Sequence, residues 1–256
     1  MHLLIWHRES IERDGCVVRG IFIIGTDTDV GKTVVSAGLM YLLMKKKVQA
    51  AYFKPVASGE VKVGDVAMPA DAAFVRAASG FTERSERVTP FAFADAVAPH
   101  LAARLTGRSI DMDVIRKSLD DLKNQYDVIV AEGAGGLAIP LNDEGFMQYD
   151  LIRELNFPCL LVCRAGLGTI NHTLLTLFAA KSVGLAVKGI IINRAGETLI
   201  EQDNIRMIRK LSGLEAIFTL PAITGMDSET LQTGNLRDVF DRSIAVDDIL
   251  ALMETV

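Results

Sequence analysis

Basic charge is scarce in this chain: 27 lysines and arginines stand against 32 aspartates and glutamates, for a formal net charge of −5. That balance supplies neither the positive field that nucleic acid requires nor a polybasic patch for an anionic membrane. Cysteine is scarcer still, and Cys16, Cys159 and Cys163 fall at no metal-ligand spacing. An odd count without a disulfide framework fits a reducing cytosol, so a cytoplasmic protein is expected. Cys159 and Cys163 sit inside one apolar, strand-like run, where thiols act as small buried hydrophobes. His100 and His172 lack metal partners at suitable spacing, and no Ser-His-Asp or Cys-His order stands out. No apolar run approaches the roughly eighteen residues of a membrane-spanning helix. Residues 1–19 hold four consecutive apolar residues, Leu3 to Trp6, too few for a signal-peptide core. They read as a non-essential extension, with the fold beginning at Gly20. Repeats, low-complexity tracts and Pro/Gly/Ser linkers are also missing, so residues 20–256 read as a single domain.

What is present is apolar and periodic. Half the residues are hydrophobic, which suits a large core. Near-continuous apolar runs at Gly20–Ile24, Ala50–Phe53, Val128–Ala131, Cys159–Cys163, Val187–Asn193 and Ala216–Leu220 read as strands. Helical patterns lie between them at 31–46, 71–79, 95–105, 111–124, 147–155, 169–183, 198–212 and 244–254. Strands apolar on both faces, alternating with helices, predict an α/β fold: a mostly parallel central sheet with helices on both faces. In such sheets ligands bind beyond the carboxyl ends of the strands, so the residues at those ends carry the functional argument.

The first strand runs into Gly25-Thr26-Asp27-Thr28-Asp29-Val30-Gly31-Lys32-Thr33, and a helical pattern follows. A strand, a glycine-containing loop and a helix N-terminus together make a phosphate cradle: free backbone N–H groups and the helix dipole favour an anion. Lys32 adds a charge for the β- and γ-phosphates, and the Thr33 hydroxyl can sit on Mg²⁺. Thr26 stands where the first glycine of the usual G-x-x-x-x-G-K-[ST] pattern falls. Nucleoside triphosphate binding is expected, against the alternative of a surface turn.

Other strand ends are polar too. The second ends in Phe53-Lys54-Pro55-Val56-Ala57-Ser58; Lys54 reads as a solvated strand end on its own, and as a second cation for the γ-phosphate beside a phosphate loop on the neighbouring strand. The third is bracketed by Asp127 and Glu132, about 17 Å apart at ~3.3 Å per residue. Only Glu132 lies on the ligand side, and it takes the metal role. Gly133, Ala134, Gly135 and Gly136 after it suit close backbone approach to a ligand, or simply a tight turn. Asp71 opens a helix, as an N-cap or as a ligand-side acid. Asn193-Arg194 ends the fifth strand, where the amide of Asn193 can pair with a base edge or serve a turn. Gly168-Thr169-Ile170-Asn171 begins a helix whose free N–H groups can bind a carboxylate, unless Thr169 or Asn171 caps it.

Taken together, GTDTDVGKT, YFKPVASG, VAEGAGG, GTINHTLLT and IINR resemble the dethiobiotin synthetase family of the P-loop NTPase superfamily, over Gly20 to about Pro221. Cell-division ATPases of that superfamily carry a second lysine early in the loop, where Thr26 and Asp27 stand here. The resemblance implies a P-loop NTPase-like fold and ligation of 7,8-diaminononanoate with CO₂ and ATP to dethiobiotin, ADP and phosphate. It implies that Asp29, Val30, Gly31, Lys32, Thr33 and Val34 hold the nucleotide together with Gly133, Ala134 and Gly135. Thr33, Asp71 and Glu132 would hold Mg²⁺, and Lys32 and Lys54 would be catalytic. Asn193, Arg194 and Pro221-Ala222-Ile223 would lie at adenine. Thr28 and Ser58 would contact the diamine near its amines. It further implies a homodimer in which Gly168, Thr169, Ile170 and Asn171 of one subunit receive the substrate carboxylate of the other's site. Asp29 replaces the glutamate common in that family, and the region after Pro221 departs most from it. A nucleotide-dependent switch is the alternative, for which Lys54 and Ser58 have no stated use.

Overall fold

The computed structural model describes residues 17–256; Cys16, Leu3 to Trp6 and most of the expected extension lie outside the described residues. Val18 is already buried. Strand β1 (Arg19–Gly25) leads through the loop into α1 (Lys32–Lys45) and β2 (Ala50–Phe53). Next come β3 (Val56–Ser58), β4 (Glu60–Val63), β5 (Val66–Pro69), α2 (Ala70–Ser79), α3 (Ser85–Val88) and β6 (Phe91–Phe93). The middle of the chain comprises α4 (Pro99–Thr106), α5 (Met112–Lys123), β7 (Val128–Glu132), α6 (Gln148–Glu154) and β8 (Cys159–Arg164). It continues through α7 (Thr169–Ser182), β9 (Val187–Asn193), α8 (Leu199–Leu211) and β10 (Ile217–Thr219). The last elements are β11 (Met226–Asp227), β12 (Gln232–Thr233), α9 (Leu236–Ser243), α10 (Val246–Leu252) and β13 (Glu254–Thr255).

The six strands expected from sequence form one parallel sheet in the order β10-β9-β8-β1-β7-β2, and β13 pairs antiparallel with the start of β1. Ile21 to Ile24 of β1 and Ile129 to Ala131 of β7 have no solvent exposure. Alternate residues of a strand face opposite sides, so both faces are covered. This is the mostly parallel α/β fold the sequence implies.

Two local expectations change, and one unassigned stretch gains structure. Strand β2 does not neighbour the loop strand, because β7 lies between them; Lys54 instead follows Phe53, which pairs with Ala131, and so comes level with Glu132. The helix expected over 95–105 begins at Pro99, its N1 position, since proline lacks the N–H that a helix interior needs. The stretch after Pro55, unassigned from sequence, folds into the β3–β6 pair and the β4–β5 hairpin.

Helix α9, also unassigned, seats Leu236, Val239 and Phe240 at helical spacing. Phe240 lies over Gly38 of α1, where an added Cβ would come within 2.2–2.3 Å of three ring atoms. Gly38→Ala is therefore expected to destabilise by about 1–3 kcal/mol through overpacking, despite alanine's better helix propensity. Urea unfolding measures it; unchanged or raised stability would mean that α9 does not seat on α1.

Candidate active site

Gly31, at φ 102°, is the N-cap of α1; no side chain caps that helix and no acid stands in its first turn. Its free N–H groups thus face the loop without an internal acceptor. Asp29 also takes the left-handed region, at φ 57°. Lys32 is buried, its ammonium donating to the Asp27 carbonyl at 3.0 Å. Burial first, then the neighbouring Lys54, lowers its pKa to about 8, against the opposing pull of Glu132, Asp71 and Asp29. A phosphate bound at this point would oppose the shift by favouring the ammonium.

The strand ends converge here. Ile23 of β1 pairs with Glu132 of β7, and β2 delivers Lys54 from the far side. Lys54 Nζ lies 2.6 Å from Asp71 Oδ2 and 2.8 Å from Glu132 Oε1. Burial alone would lower the Lys54 pKa, but the two carboxylates outweigh it and hold the ammonium above its ordinary value. Against the burial that would raise it, Lys54 and the Thr33 hydroxyl hold Asp71 below the usual carboxylate range. Asp71 is not an N-cap: α2 starts at Ala70 after Pro69, with no side-chain cap. The capping alternative is set aside.

Thr33 Oγ1 lies 2.6 Å from Asp71 Oδ1 and 2.8 Å from Glu132 Oε1. One hydroxyl carries one proton, so it cannot donate to both carboxylates at once. These three hard oxygens are a donor set that a small divalent cation fits, with the remaining positions left to water and phosphate. Thr33, Asp71 and Glu132 therefore suit Mg²⁺.

A cleft of about 880 Å³ opens over this cluster. Among the expected residues, Thr28, Asp29, Gly31, Lys32, Thr33, Val34, Lys54, Ser58, Asp71, Glu132, Ala134, Gly135 and Arg194 line it. Val30 and Gly133 do not line it, though the Gly133 carbonyl lies 3.5 Å from Lys54 Nζ. Asn193 is buried and its amide donates to the Val30 carbonyl at 3.0 Å, bracing the loop from below. Pro221 lines a separate cleft with Ala195 and Thr219, and neither Ala222 nor Ile223 lines the main one. Gly168 to Asn171 also lie apart from the main cleft. There Gly168 is the N-cap of α7 and no side chain caps it; the Thr169 hydroxyl donates to the Arg164 carbonyl at 2.5 Å. Capping by Thr169 or Asn171 is thereby excluded.

Several lining residues carry no sequence motif. Val61 comes from β4, Phe74 from α2, Ala96 to Ala98 from the approach to α4 and Pro99 from its start, Met226 from β11, and Ser228 and Glu229 from just after it. Gln148 is buried at the start of α6 and holds the glycine loop, accepting from Ala134 N at 2.6 Å and donating to Gly136 O at 2.7 Å. Tyr52 donates to Glu132 Oε2 at 2.9 Å. Burial and that carboxylate push its phenol well above the ordinary pKa, so it stays a donor. The alternation of Tyr52 with Lys54 along β2 is the one sequence signal that could have found it.

The parallel sheet, the phosphate loop and the acid at the end of β7 define a P-loop nucleotide-binding protein. Residues 19–230 match the family model described as an AAA domain. The cell-division ATPase MinD of Pyrococcus horikoshii, solved with Mg-ADP, superposes with TM-score 0.55 at 17% identity over 87% of this chain and 93% of its own. The MinC:MinD complex of Aquifex aeolicus gives 0.56 at 15% identity, over 92% and 96%. At such identities the likeness is one of fold. In sequence, the chain is 39% identical to the ATP-dependent dethiobiotin synthetase BioD of Clostridium kluyveri, over 93% of this chain and 99% of that one. It is 42% identical to the BioD of Clostridium acetobutylicum over 80% and 87%. The chain belongs to the dethiobiotin synthetase family.

A Cβ at Gly31 would meet Asn193 Nδ2 at 2.0 Å, in a backbone conformation that L side chains resist. Gly31→Ala is expected to weaken ATP binding by more than tenfold, since strain and clash together exceed the ~1.4 kcal/mol that a factor of ten represents. Calorimetric titration checks this; wild-type affinity would show that the loop tolerates the shift.

Proposed function

We infer that this protein is an ATP-dependent dethiobiotin synthetase, joining CO₂ to 7,8-diaminononanoate and closing the ureido ring. The observation that carries the reading is the placement of Lys54 and Ser58 in the same cleft as the phosphate loop and the Thr33–Asp71–Glu132 oxygens. A switch that only binds and hydrolyses ATP has no stated need for either residue. The likeness to MinD adds nothing to the switch reading beyond the fold.

In the chemistry proposed, one amine of the diamine adds to CO₂, giving a carbamate and releasing a proton. A carbamate oxygen attacks the γ-phosphorus and ADP leaves; the second amine then attacks the carbonyl carbon and phosphate leaves. Positioning and charge stabilisation dominate such a sequence. Lys32 and the α1 N–H groups hold the β- and γ-phosphates. Lys54 stabilises the carbamate and the transferring phosphoryl group, while Thr28 and Ser58 orient the amines. Thr33, Asp71 and Glu132 hold Mg²⁺, which when bound neutralises phosphate charge. Asn193, Arg194 and Pro221 to Ile223 are proposed for the adenine side, with Asn193 acting by shaping the loop. The use of ATP rather than another nucleoside triphosphate belongs to this proposal.

A homodimer is proposed as well, with the α7 N-terminus at Gly168 to Asn171 receiving the substrate carboxylate of the partner's site. What supports it is the poor burial of α7: Thr169, Thr173 and Ala180 are its buried residues, while Leu175 is 58% and Phe178 66% exposed. Leu167 just before it is 93% exposed. Apolar area of this kind calls for a cover. A cytoplasmic location is proposed too, supported by the buried free thiols of Cys159 and Cys163. Among the described residues no helix is long and apolar enough to cross a membrane.

Lys54→Ala is expected to lower dethiobiotin turnover by roughly 10²–10³, the scale for removing one transition-state electrostatic group. Its ATP affinity in excess Mg²⁺ should stay within about tenfold of wild type, because the phosphate loop is intact. Synthesis within about threefold of wild type would refute the assigned role. Light scattering tests the second proposal: a dimer at micromolar concentration is expected, and a fully active monomer would contradict it.

A further inference from the structure

Of the two site carboxylates, Glu132 is the one with no solvent exposure, and its oxygens have different neighbours. Tyr52 of β2 stands in register with Val130 of β7. Side chains two residues apart on a strand share a face, so Tyr52 and Lys54 come up on one side of the sheet with Val130 and Glu132. The phenol donates to Oε2 at 2.9 Å. The other oxygen, Oε1, accepts from Lys54 Nζ at 2.8 Å and lies 2.8 Å from Thr33 Oγ1. Tyr52 is itself without solvent exposure. If Oε2 turned away, no bulk water would be at hand to take its place.

We propose that Tyr52 is a positioning residue that makes Glu132 a one-oxygen ligand and so sets the site for a small divalent cation, Mg²⁺ rather than Ca²⁺. The inference rests on the reading of Thr33, Asp71 and Glu132 as the cation-holding set. Ca²⁺ takes six to eight oxygens at about 2.3–2.6 Å and commonly closes both oxygens of a carboxylate on itself, whereas Mg²⁺ takes six at about 2.0–2.1 Å. Closing both Glu132 oxygens on one cation pulls Oε2 from the phenol and strands a buried hydroxyl, a loss that the one-oxygen mode avoids. Tyr52 therefore discriminates without touching the cation, by raising the cost of the coordination mode that the larger ion favours. Phenylalanine at position 52 would fill the same space and leave Glu132 free to rotate.

The test compares wild-type protein with Tyr52→Phe in calorimetric binding of ADP, once in excess Mg²⁺ and once in excess Ca²⁺. Wild-type protein is expected to bind ADP more tightly with Mg²⁺. The variant should narrow the ratio of the two affinities about tenfold, within the range seen when an outer-shell partner of a ligand is lost. A phenol that only supports the core would lower the melting temperature and both affinities alike; an unchanged ratio overturns the proposal. Wild-type binding indifferent to either ion overturns the cation-site reading itself, and this inference with it. Should the variant not fold, a crystal structure of the wild-type protein with Ca²⁺ and ADP decides. One Glu132 oxygen on Ca²⁺, with Oε2 still on Tyr52, is expected; both oxygens on the ion overturn the proposal.

Discussion

Two carboxylates and one ammonium share the carboxyl edge of the sheet, and that three-way contact is what the site is built around. Glu132 has no solvent exposure and Lys54 almost none. An isolated buried ion meets a desolvation cost of several kcal/mol. Together with Asp71 they satisfy one another, and the Thr33 hydroxyl joins the same set. The arrangement keeps negative oxygens and a cationic nitrogen a few ångströms apart, in a cleft that also holds the phosphate loop. A reaction in which charge moves between a carbamate, a phosphoryl group and a leaving phosphate asks for fixed charges of both signs in one place.

Sheet order makes that contact possible. With β7 between β1 and β2, Glu132 stands in the centre and receives the loop residues from one side and Lys54 from the other. Had β2 lain next to β1, Lys54 and Lys32 would have faced each other with no carboxylate between. Residues further along serve this centre by bracing it. Asn193 holds the loop from below, Gln148 ties down the glycines after Glu132, and Tyr52 takes the second oxygen of Glu132. All three of these bracing side chains are buried, and none depends on solvent for its geometry.

The elements legible in the sequence were those whose signal is local. The six sheet strands are continuous apolar runs, and the phosphate loop carries its own strand, glycine, lysine and helix start in order. Lys54 and Glu132 could be placed at the ligand edge because strand ends can be counted. Asp71 is ambiguous in sequence, since an acid at a helix start serves equally as a cap; the start of α2 at Ala70 with no side-chain cap, and the contact with Lys54, resolve the matter. The neighbour of β2 differs from the expected one for a physical reason: pairing is a long-range choice, and nothing within β2 says whether β1 or β7 lies beside it. Gln148 carries no sequence signal, because a buried amide looks like any other until its partners are known, and Tyr52 is marked only by its alternation with Lys54. Met226, Ser228 and Glu229 escaped because the β11–β12 hairpin has no apolar periodicity to mark it. Family resemblance supplied what neither periodicity nor spacing could, namely the diamine, CO₂ and the ring closure.

The most direct test of the account is to mix the purified protein with ATP, Mg²⁺, bicarbonate and 7,8-diaminononanoate and look for dethiobiotin by mass spectrometry. Product is expected, and it should vanish when either bicarbonate or the diamine is left out. Nucleotide bound and hydrolysed with no dethiobiotin formed would contradict the ligase reading and leave a phosphate-loop switch in its place.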